Sequence, residues 1–453
     1  MNRSVLLLVF ALFFKGTALQ AQKAQWTKLF DGKTLNGWNQ KNGQAKYYVE
    51  KGEIVGETVA NTPNSFLCTN QEYGDFILEL ELKVDDRMNS GIQFRSLSKP
   101  EVQDGRVHGY QMEVDPSARA WSGGIYDEGR RDWLYIPNIN PAGKKSFRVG
   151  EWNKYRIEAI GHTLRTWIND IPVAYLIDDM TAKGFIALQV HSIYADMKPG
   201  MKIRWKNIRI QASQLSPSPL DATPVVNLLP NHLSEQEKAQ GYNLLFNGKD
   251  FTGWRGINSD KMPSKNWSIV DGTIQITPSG GSETGNDIIT TEQFAAFELV
   301  FEFKLTEAAN SGVKYLVNEK WSTEGKSGIG LEYQLLDDEH HPDAKQGVVG
   351  NRTLASLYDL IPSEKLEKRF QRKIGEWNQG RIQVFPNNQV VYWLNGFKVV
   401  EYERKSNIFR ALVARSKYEK IEGFGMNDTG HILLQNHGDA VGFRGIKLRV
   451  LTL

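Results

Sequence analysis

The sequence predicts an all-β fold, with two antiparallel β-sandwich or jelly-roll domains in tandem. Three observations lead there. The runs FILELELKV (76–84), FELVFEFKL (297–305), RIEAI (156–160), RIQVF (381–385) and IRWKNIRI (203–210) read as strands, in part alternating, between Gly, Asn and Asp turn signals. Helical periodicity is scarce. The third observation is a repeat: LFDGKTLNGW (29–38) returns as LFNGKDFTGW (245–254), and FILELELKVDDRMNSGIQFR (76–95) as FELVFEFKLTEAANSGVKYL (297–316). GEWNKYRI (150–157), TWIND (166–170) and GFIALQVHS (184–192) return as GEWNQGRI (375–382), YWLNG (392–396) and GHILLQNHG (430–438). Five blocks in one order, at offsets between 216 and 246, mean a duplicated domain. The period is too long for a solenoid, so each copy is expected to own a core.

The expected boundaries are 23–212 for the first copy and 241–453 for the second. Residues 213–240 read as an extended, proline-rich linker ending in a short helix from Ser234, where Glu237 completes a capping box. Residues 1–22 have a cationic start, an apolar run and small residues at Ala18 and Ala21, the build of a secretory signal peptide. No other apolar run approaches membrane length. The mature chain keeps one cysteine, Cys68, so it forms no internal disulfide. An exported chain without disulfides fits a bacterial periplasm.

Hydrophobic content of 40% and charged content of 24% suit a globular protein with proper cores. Net charge is +3 without a basic run, which excludes nucleic acid as a partner, and EKLEKRFQRK (364–373) interleaves acids with bases as a solvated face does. GGSETG (280–285) precedes no helix, so it is no phosphate cradle. There is no G-x-S-x-G, Walker or H-E-x-x-H motif.

The informative stretch is HGYQMEVDPSARAWSGGIYDE (108–128). As a strand, its Gln111, Glu113 and Asp115 share one face and Met112 and Val114 the other. GIQFR sets Gln93 and Arg95 opposite Ile92 and Phe94, and IALQVHS sets Gln189 and His191 opposite Leu188 and Val190. The following loop adds Trp121, Tyr126, Asp127, Glu128, Arg130, Arg131 and Trp133. An ordinary solvated sheet face also alternates. Amides, carboxylates, His and Arg beside indoles instead favour a groove for sugars, which bind by bidentate hydrogen bonds and by stacking on aromatic planes. In the second copy, aligning Tyr333-Gln334 with Tyr110-Gln111 sets Leu336 at Glu113 and Asp338 at Asp115, so one carboxylate is missing there. Its other candidates are Arg352, Tyr358, Asp359, Gln435 and His437. Asp337, Asp338, Glu339, His340, His341 and Asp343 could hold a divalent cation or form a solvated acidic loop. Trp38, Trp152, Trp254 and Trp377 are expected in core or corner positions.

Through these blocks both copies resemble the 3-keto-disaccharide hydrolase domain family, related in fold to concanavalin A-like jelly rolls. The resemblance implies a curved β-sandwich, export, and hydrolytic or eliminative cleavage of glycosides oxidised at sugar C3. Such a ketone acidifies the C2 hydrogen, so a base removes it, a cation or metal ion stabilises the enolate, and the C1 substituent leaves with a proton from an acid. In this sequence that implies Glu113 or His191 as base, Asp127 or Glu128 as acid, and Arg95 with Arg131 as clamps. Gln93, Gln111, Asp115, Trp121, Tyr126 and Gln189 would hold the sugar. A tandem lectin and an ordinary two-carboxylate glycosidase are the alternatives.

Overall fold

The computed structural model describes residues 25–85, 88–279, 285–321, 327–365 and 371–452. The expected leader lies outside them, as do residues 280–284 of the GGSETG loop and 366–370 of the mixed-charge run. The described residues form two sheet pairs. In the first copy a seven-stranded sheet packs on a nine-stranded one, and in the second a five-stranded sheet packs on an eight-stranded one. The chain is therefore a tandem of jelly-roll β-sandwiches.

The smaller sheet of the first copy carries the groove. Its strands are β1 (Trp38–Lys41), β2 (Ser65–Tyr73), β3 (Ser90–Leu97), β4 (His108–Val114), β5 (Ile125–Glu128), β6 (Asp132–Tyr135) and β7 (Gly184–Val190). They lie in the order β6-β5-β4-β3-β7-β2-β1, every pair antiparallel. The alternation read from the sequence holds on β4. Met112 and Val114 join Leu67, Ile92, Phe94, Ile125 and Leu188 in the core, against Leu78, Leu80, Tyr155 and Trp205 of the larger sheet. Fully burying one such side chain is worth about 1.5–3 kcal/mol, so this apolar row sets the strand's register and commits Gln111 and Glu113 to the outer face. Gly91 pairs with Glu113 across β3 and β4. A Cβ at Gly91 would stand 2.2 Å from the Cδ of Gln111, so only glycine leaves room for that amide.

The segment between the copies is not a free extended linker. Val225–Asn227 adds a parallel strand to the edge strand Ile171–Ile177, and Arg165 donates to the carbonyls of Ser218 (2.7 Å) and Pro219 (3.0 Å). Its valines suit a strand, and the otherwise open edge accepts them. The helix Glu235–Ala239 begins at Ser234 with the expected capping box. Lys447 of the second copy reaches back to pair with Glu237, both buried. Trp38 and Trp254 occupy matching corners, their indole N–H groups donating to Leu29 (2.7 Å) and Leu245 (2.6 Å) carbonyls. No helix among the described residues is long and apolar enough to cross a membrane.

Candidate active site

A cavity of about 590 Å³ opens on the outer face of the seven-stranded sheet, and Gln111, Glu113, Asp115, Tyr126, Glu128, Gln189 and His191 line it together. Strand alternation on β4, β5 and β7 brings them there from sequence-distant segments.

Glu113 lies at the end of a directed hydrogen-bond chain. Ser96 Oγ donates to Gln93 Oε1 (2.7 Å), Gln93 Nε2 to Gln111 Oε1 (2.6 Å), and Gln111 Nε2 to Glu113 Oε2 (3.0 Å). Asn89 Nδ2 donates to the other carboxylate oxygen at 2.6 Å. Burial pushes the Glu113 carboxyl up to about 7, against the pull of those two donors and of Arg119. Asp115 differs. Burial raises it too, but bonds from Ser117 and Arg119 outweigh burial and hold it below its usual value. Two carboxyls two residues apart therefore have opposite tendencies at neutral pH.

Arg119, which reasoning from strand patterns passes over, is the cavity's cation near Glu113. Its Nε donates to Asp115 at 2.8 Å and its Nη2 stands 3.6 Å from Glu113. Its guanidinium lies over Trp121 (4.4 Å) and Trp133 (5.2 Å). Pro116 ends the strand, and Ser117 N–H donates to the Asp115 carboxylate (3.1 Å), turning the chain so that Arg119 folds back over it. Asn89 belongs to the repeated Asn-Ser-Gly block, a signal that could have marked it. His191 has Nδ1 2.6 Å from the Ser192 carbonyl, so Nδ1 carries the proton there. The Gln189 amide is fully buried, lines the cavity, and has no hydrogen-bond partner at either end. A buried amide in that state is matched to a donor–acceptor ligand such as a hydroxyl.

Five expected residues fall elsewhere. Arg95 is buried with φ +45° at a register shift in β3. The bulge breaks the alternation and turns its guanidinium to the Gly74 and Gly161 carbonyls (2.8 and 2.9 Å) and to Asp75 (2.8 Å). Asp127 and Arg131 lie behind β5, because Tyr126 and Glu128 take the groove face. Asp127 accepts from Arg130 and Arg131, each at 2.6 Å, and Arg131 also bonds Asp178 at 2.7 Å. Gln93 is one layer below the cavity, acting through Gln111. Trp121 is buried behind Trp133, with ring centroids 4.7 Å apart. Trp133 itself is on the wall.

The second copy requires a correction in register. Its strands β8 (Asn310–Val317) and β9 (Leu331–Leu336) pair Gly312 with Gln334 and Lys314 with Glu332. In the first copy Gly91 pairs with Glu113 and Gln93 with Gln111. Gln334 therefore takes the place of Glu113, Glu332 that of Gln111, and Lys314 that of Gln93. Leu336, expected opposite Glu113, is a buried strand residue two positions on. The carboxylate is shifted rather than lost, and Lys314 stands 3.7 Å from it. Asp338 pairs with Lys365 and accepts from Leu354 N–H (2.7 Å). Arg352 binds Asp343 (3.0 Å) and Asp359 (2.7 Å), and Tyr358 donates to Asp343 (2.7 Å). His437 is 6.4 Å from His341 between ring centroids, and burial lowers its pKa. Gln435, the counterpart of Gln189, is half-buried, and its carbonyl accepts from Ser311 Oγ at 2.7 Å, as that of Gln189 does from Ser90. Asp337 caps its own loop and pairs with His340 (2.8 Å). Among the described residues no three His, Cys, Asp or Glu side chains stand together as metal ligands, those of the acidic stretch 337–343 included.

The chain is similar to known proteins along most of its length. The profile of the 3-keto-alpha-glucoside-1,2-lyase-like domain matches residues 25–211 and again 241–449. A 3-keto-disaccharide hydrolase of Bacteroides thetaiotaomicron is 39% identical over 235 residues, 47% of this chain and 79% of that protein. A candidate glycosyl hydrolase of Parabacteroides distasonis with a solved structure is 31% identical, covering 49% of this chain and all of its own, with a TM-score of 0.44. A second from that organism is 24% identical, over 46% of this chain and 99% of its own, with a TM-score of 0.35. With both copies matched by one profile, the chain belongs to the 3-keto-alpha-glucoside-1,2-lyase-like domain family and is a carbohydrate-active enzyme.

Proposed function

We propose that the first copy cleaves glycosides already oxidised to a ketone at C3 of the sugar, starting with loss of the C2 proton. The observation that carries this reading is Glu113. It is a buried carboxyl oriented by Asn89 and Gln111, with a pKa of about 7 and a guanidinium 3.6 Å away. A base poised near neutrality is what proton abstraction beside a carbonyl needs. Glu113 takes the C2 proton, and the C–H electron pair becomes the C2=C3 bond of an enolate with its charge on the C3 oxygen. Arg119 lies in the same cavity and stabilises that charge. When the C3 carbonyl re-forms, the pair moves to C1=C2 and the C1–O bond breaks. Glu128 or His191, both on the wall, protonates the departing oxygen. Water adding at C1 turns the elimination into net hydrolysis. Gln111, Gln189, Asp115 and Tyr126 bind hydroxyls, and Trp133 offers a ring face. The leader-like residues 1–22 support an exported, periplasmic enzyme.

The test compares an aryl glucoside with its 3-keto derivative, both in heavy water. Aryl alcohol released from the keto compound alone, with deuterium entering C2, is the expected result. Release from the plain glucoside would mean an ordinary glycosidase, and tight binding without turnover of either would mean a lectin.

A further inference from the structure

The hydrogen-bond chain that ends on Glu113 starts at Ser96, which does not line the cavity. Ser96 and Gln93 are fully buried, and Gln111 brings the chain to the cavity wall. In a regular strand, residues 93 and 96 would point to opposite faces. The bulge at Arg95 adds the residue that returns Ser96 to the face of Gln93. Gly109 makes room on β4, since a Cβ there would stand 2.6 Å from Ser96 Oγ.

The chain has one sense. The Ser96 hydroxyl carries a single proton among three acceptors, Gln93 Oε1 at 2.7 Å and the carbonyls of Phe94 and Tyr110 at 3.2 and 3.3 Å. O–H···O bonds run at about 2.5–3.0 Å, so the proton goes to Gln93. An amide that accepts at its oxygen presents its N–H groups to the other side. Gln93 therefore donates to Gln111, and Gln111 donates to Glu113. Turned end for end, the amides would aim the Gln111 carbonyl at the carboxyl, which suits only its protonated form. Donation into each carbonyl also polarises the N–H that follows, so the bond Glu113 receives is strengthened from the far end.

The second copy has the same bulge without the hydroxyl. Leu316, at φ +51°, answers Arg95, and Val317 answers Ser96. Val317 joins Ile257, Ile289 and Leu433 in an apolar cluster, and Lys314 with Glu332 replaces the two amides. The bulge belongs to the fold. The hydroxyl and the amides belong to the copy with the buried base.

We infer that Ser96 is a positioning residue for Glu113, its hydroxyl fixing the sense of the amide chain so that the carboxyl is held in place and its ionised form favoured. The part in turnover rests on the function proposed above; the hold on the carboxyl does not. The other titratable groups facing Glu113 are Arg119 and Asp115 past the end of β4, Tyr126 and the Arg106-paired Glu128 on β5, His191 after β7, and Tyr155 of the larger sheet. Among the described residues none of these side chains bonds to that of Ser96 or Gln93, so a change at Ser96 reaches Glu113 through the amides.

The test is Ser96→Ala and Ser96→Cys in the full chain, a thiol being the weaker donor. The Glu113 carboxyl is titrated by carbon NMR of glutamate-labelled protein, its signal identified by its absence from Glu113→Gln. Ser96→Ala is expected to raise the midpoint by about half a pH unit, and Ser96→Cys by less. On a 3-keto-glucoside, kcat should then fall about threefold at pH 6 and stay within about twofold at pH 9, with KM within about twofold at both. A merely structural disturbance would cost the same factor at each pH or raise KM. An unchanged or lowered midpoint in Ser96→Ala, or equal losses at pH 6 and pH 9, overturns the inference. Should the alanine chain fail to fold, the cysteine variant is read in the same way. If the wild type turns over no 3-keto-glucoside, the proposed function fails, and the titration alone decides on Ser96.

Discussion

Phe397 of the second copy packs against Trp121 of the first, with ring centroids 5.8 Å apart. The contact lies one layer behind the groove, because Trp121 backs Trp133 and carries the Arg119 guanidinium. Arg372 strengthens the same junction by donating to the carbonyls of Arg131 (2.6 Å), just before the edge strand β6, and of Trp133 (2.8 Å) on it. The second copy thus covers the edge that ends the groove sheet. Phe397→Ala should loosen the Trp121–Trp133 pair and with it Arg119, lowering kcat/KM on the 3-keto-glycoside by about ten- to a hundredfold. Phe397→Leu should recover most of it. Steady-state rates of both variants, with tryptophan fluorescence reporting the junction, check this. Full activity in the alanine variant would show that the first copy holds its aromatic wall unaided.

Glu113→Gln keeps the shape and the Asn89 contact but removes the base. Turnover is expected to fall by about 10²–10⁴-fold. In the wild type, kcat/KM should rise with pH through about 7, as the carboxyl ionises. A pH–rate profile flat from 5.5 to 8.5 would assign the proton abstraction to another group.

The same carboxyl has a cost for the fold, with a definite sign. Its folded pKa of about 7 lies above the ordinary 4.5, so between those values the native chain holds more protons than the unfolded one. Its contribution therefore makes stability fall as pH rises from about 4.5 to about 7, and the loss persists above. Glu113→Gln removes the burial of that charge. Its Tm should exceed that of the wild type at pH 8, and the gap should close near pH 4. A variant less stable than the wild type at pH 8 would mean that the Asn89, Gln111 and Arg119 contacts outweigh desolvation.

Much of this groove was legible because period-two alternation is local. Gln111 and Glu113 on β4, Asp115 just past its end, and Gln189 and His191 at the end of β7 needed only a strand and an apolar partner face. Arg95 was misread because a bulge inserts a residue that no alternation rule announces. Asp127 was misread because Tyr126 and Glu128 on the same short strand claimed the groove. Arg119 reaches the site through a turn, where direction depends on Pro116 and the Asp115 cap rather than on period. In the second copy, Tyr333-Gln334 mimics Tyr110-Gln111 and shifts the alignment by two. The offset of 221 that relates Gly91 to Gly312 relates Glu113 to Gln334, so the Asn-Ser-Gly block carried forward without a gap holds the true register.

That register also predicts what the second copy does not do. Lys314 stands in the place of Gln93, donates to the Gly328 carbonyl at 3.0 Å and lies 3.7 Å from Glu332, with both side chains buried. It also pulls down on Asp287, which burial nonetheless pushes up to about 6. A buried lysine answering two buried carboxyls reads as an internal charge cluster. Lys314→Met should leave Glu332 and Asp287 without that cation and destabilise the chain by about 3–5 kcal/mol near neutral pH. Lowering the pH should shrink the loss, since the stranded carboxyls take up protons and neutralise. Adding Glu332→Gln should recover part of the stability. Turnover of the 3-keto-glycoside, measured where the variant is still folded, should stay within about twofold of the wild type. A folded Lys314→Met chain that has lost its turnover would show that the second copy takes part in catalysis.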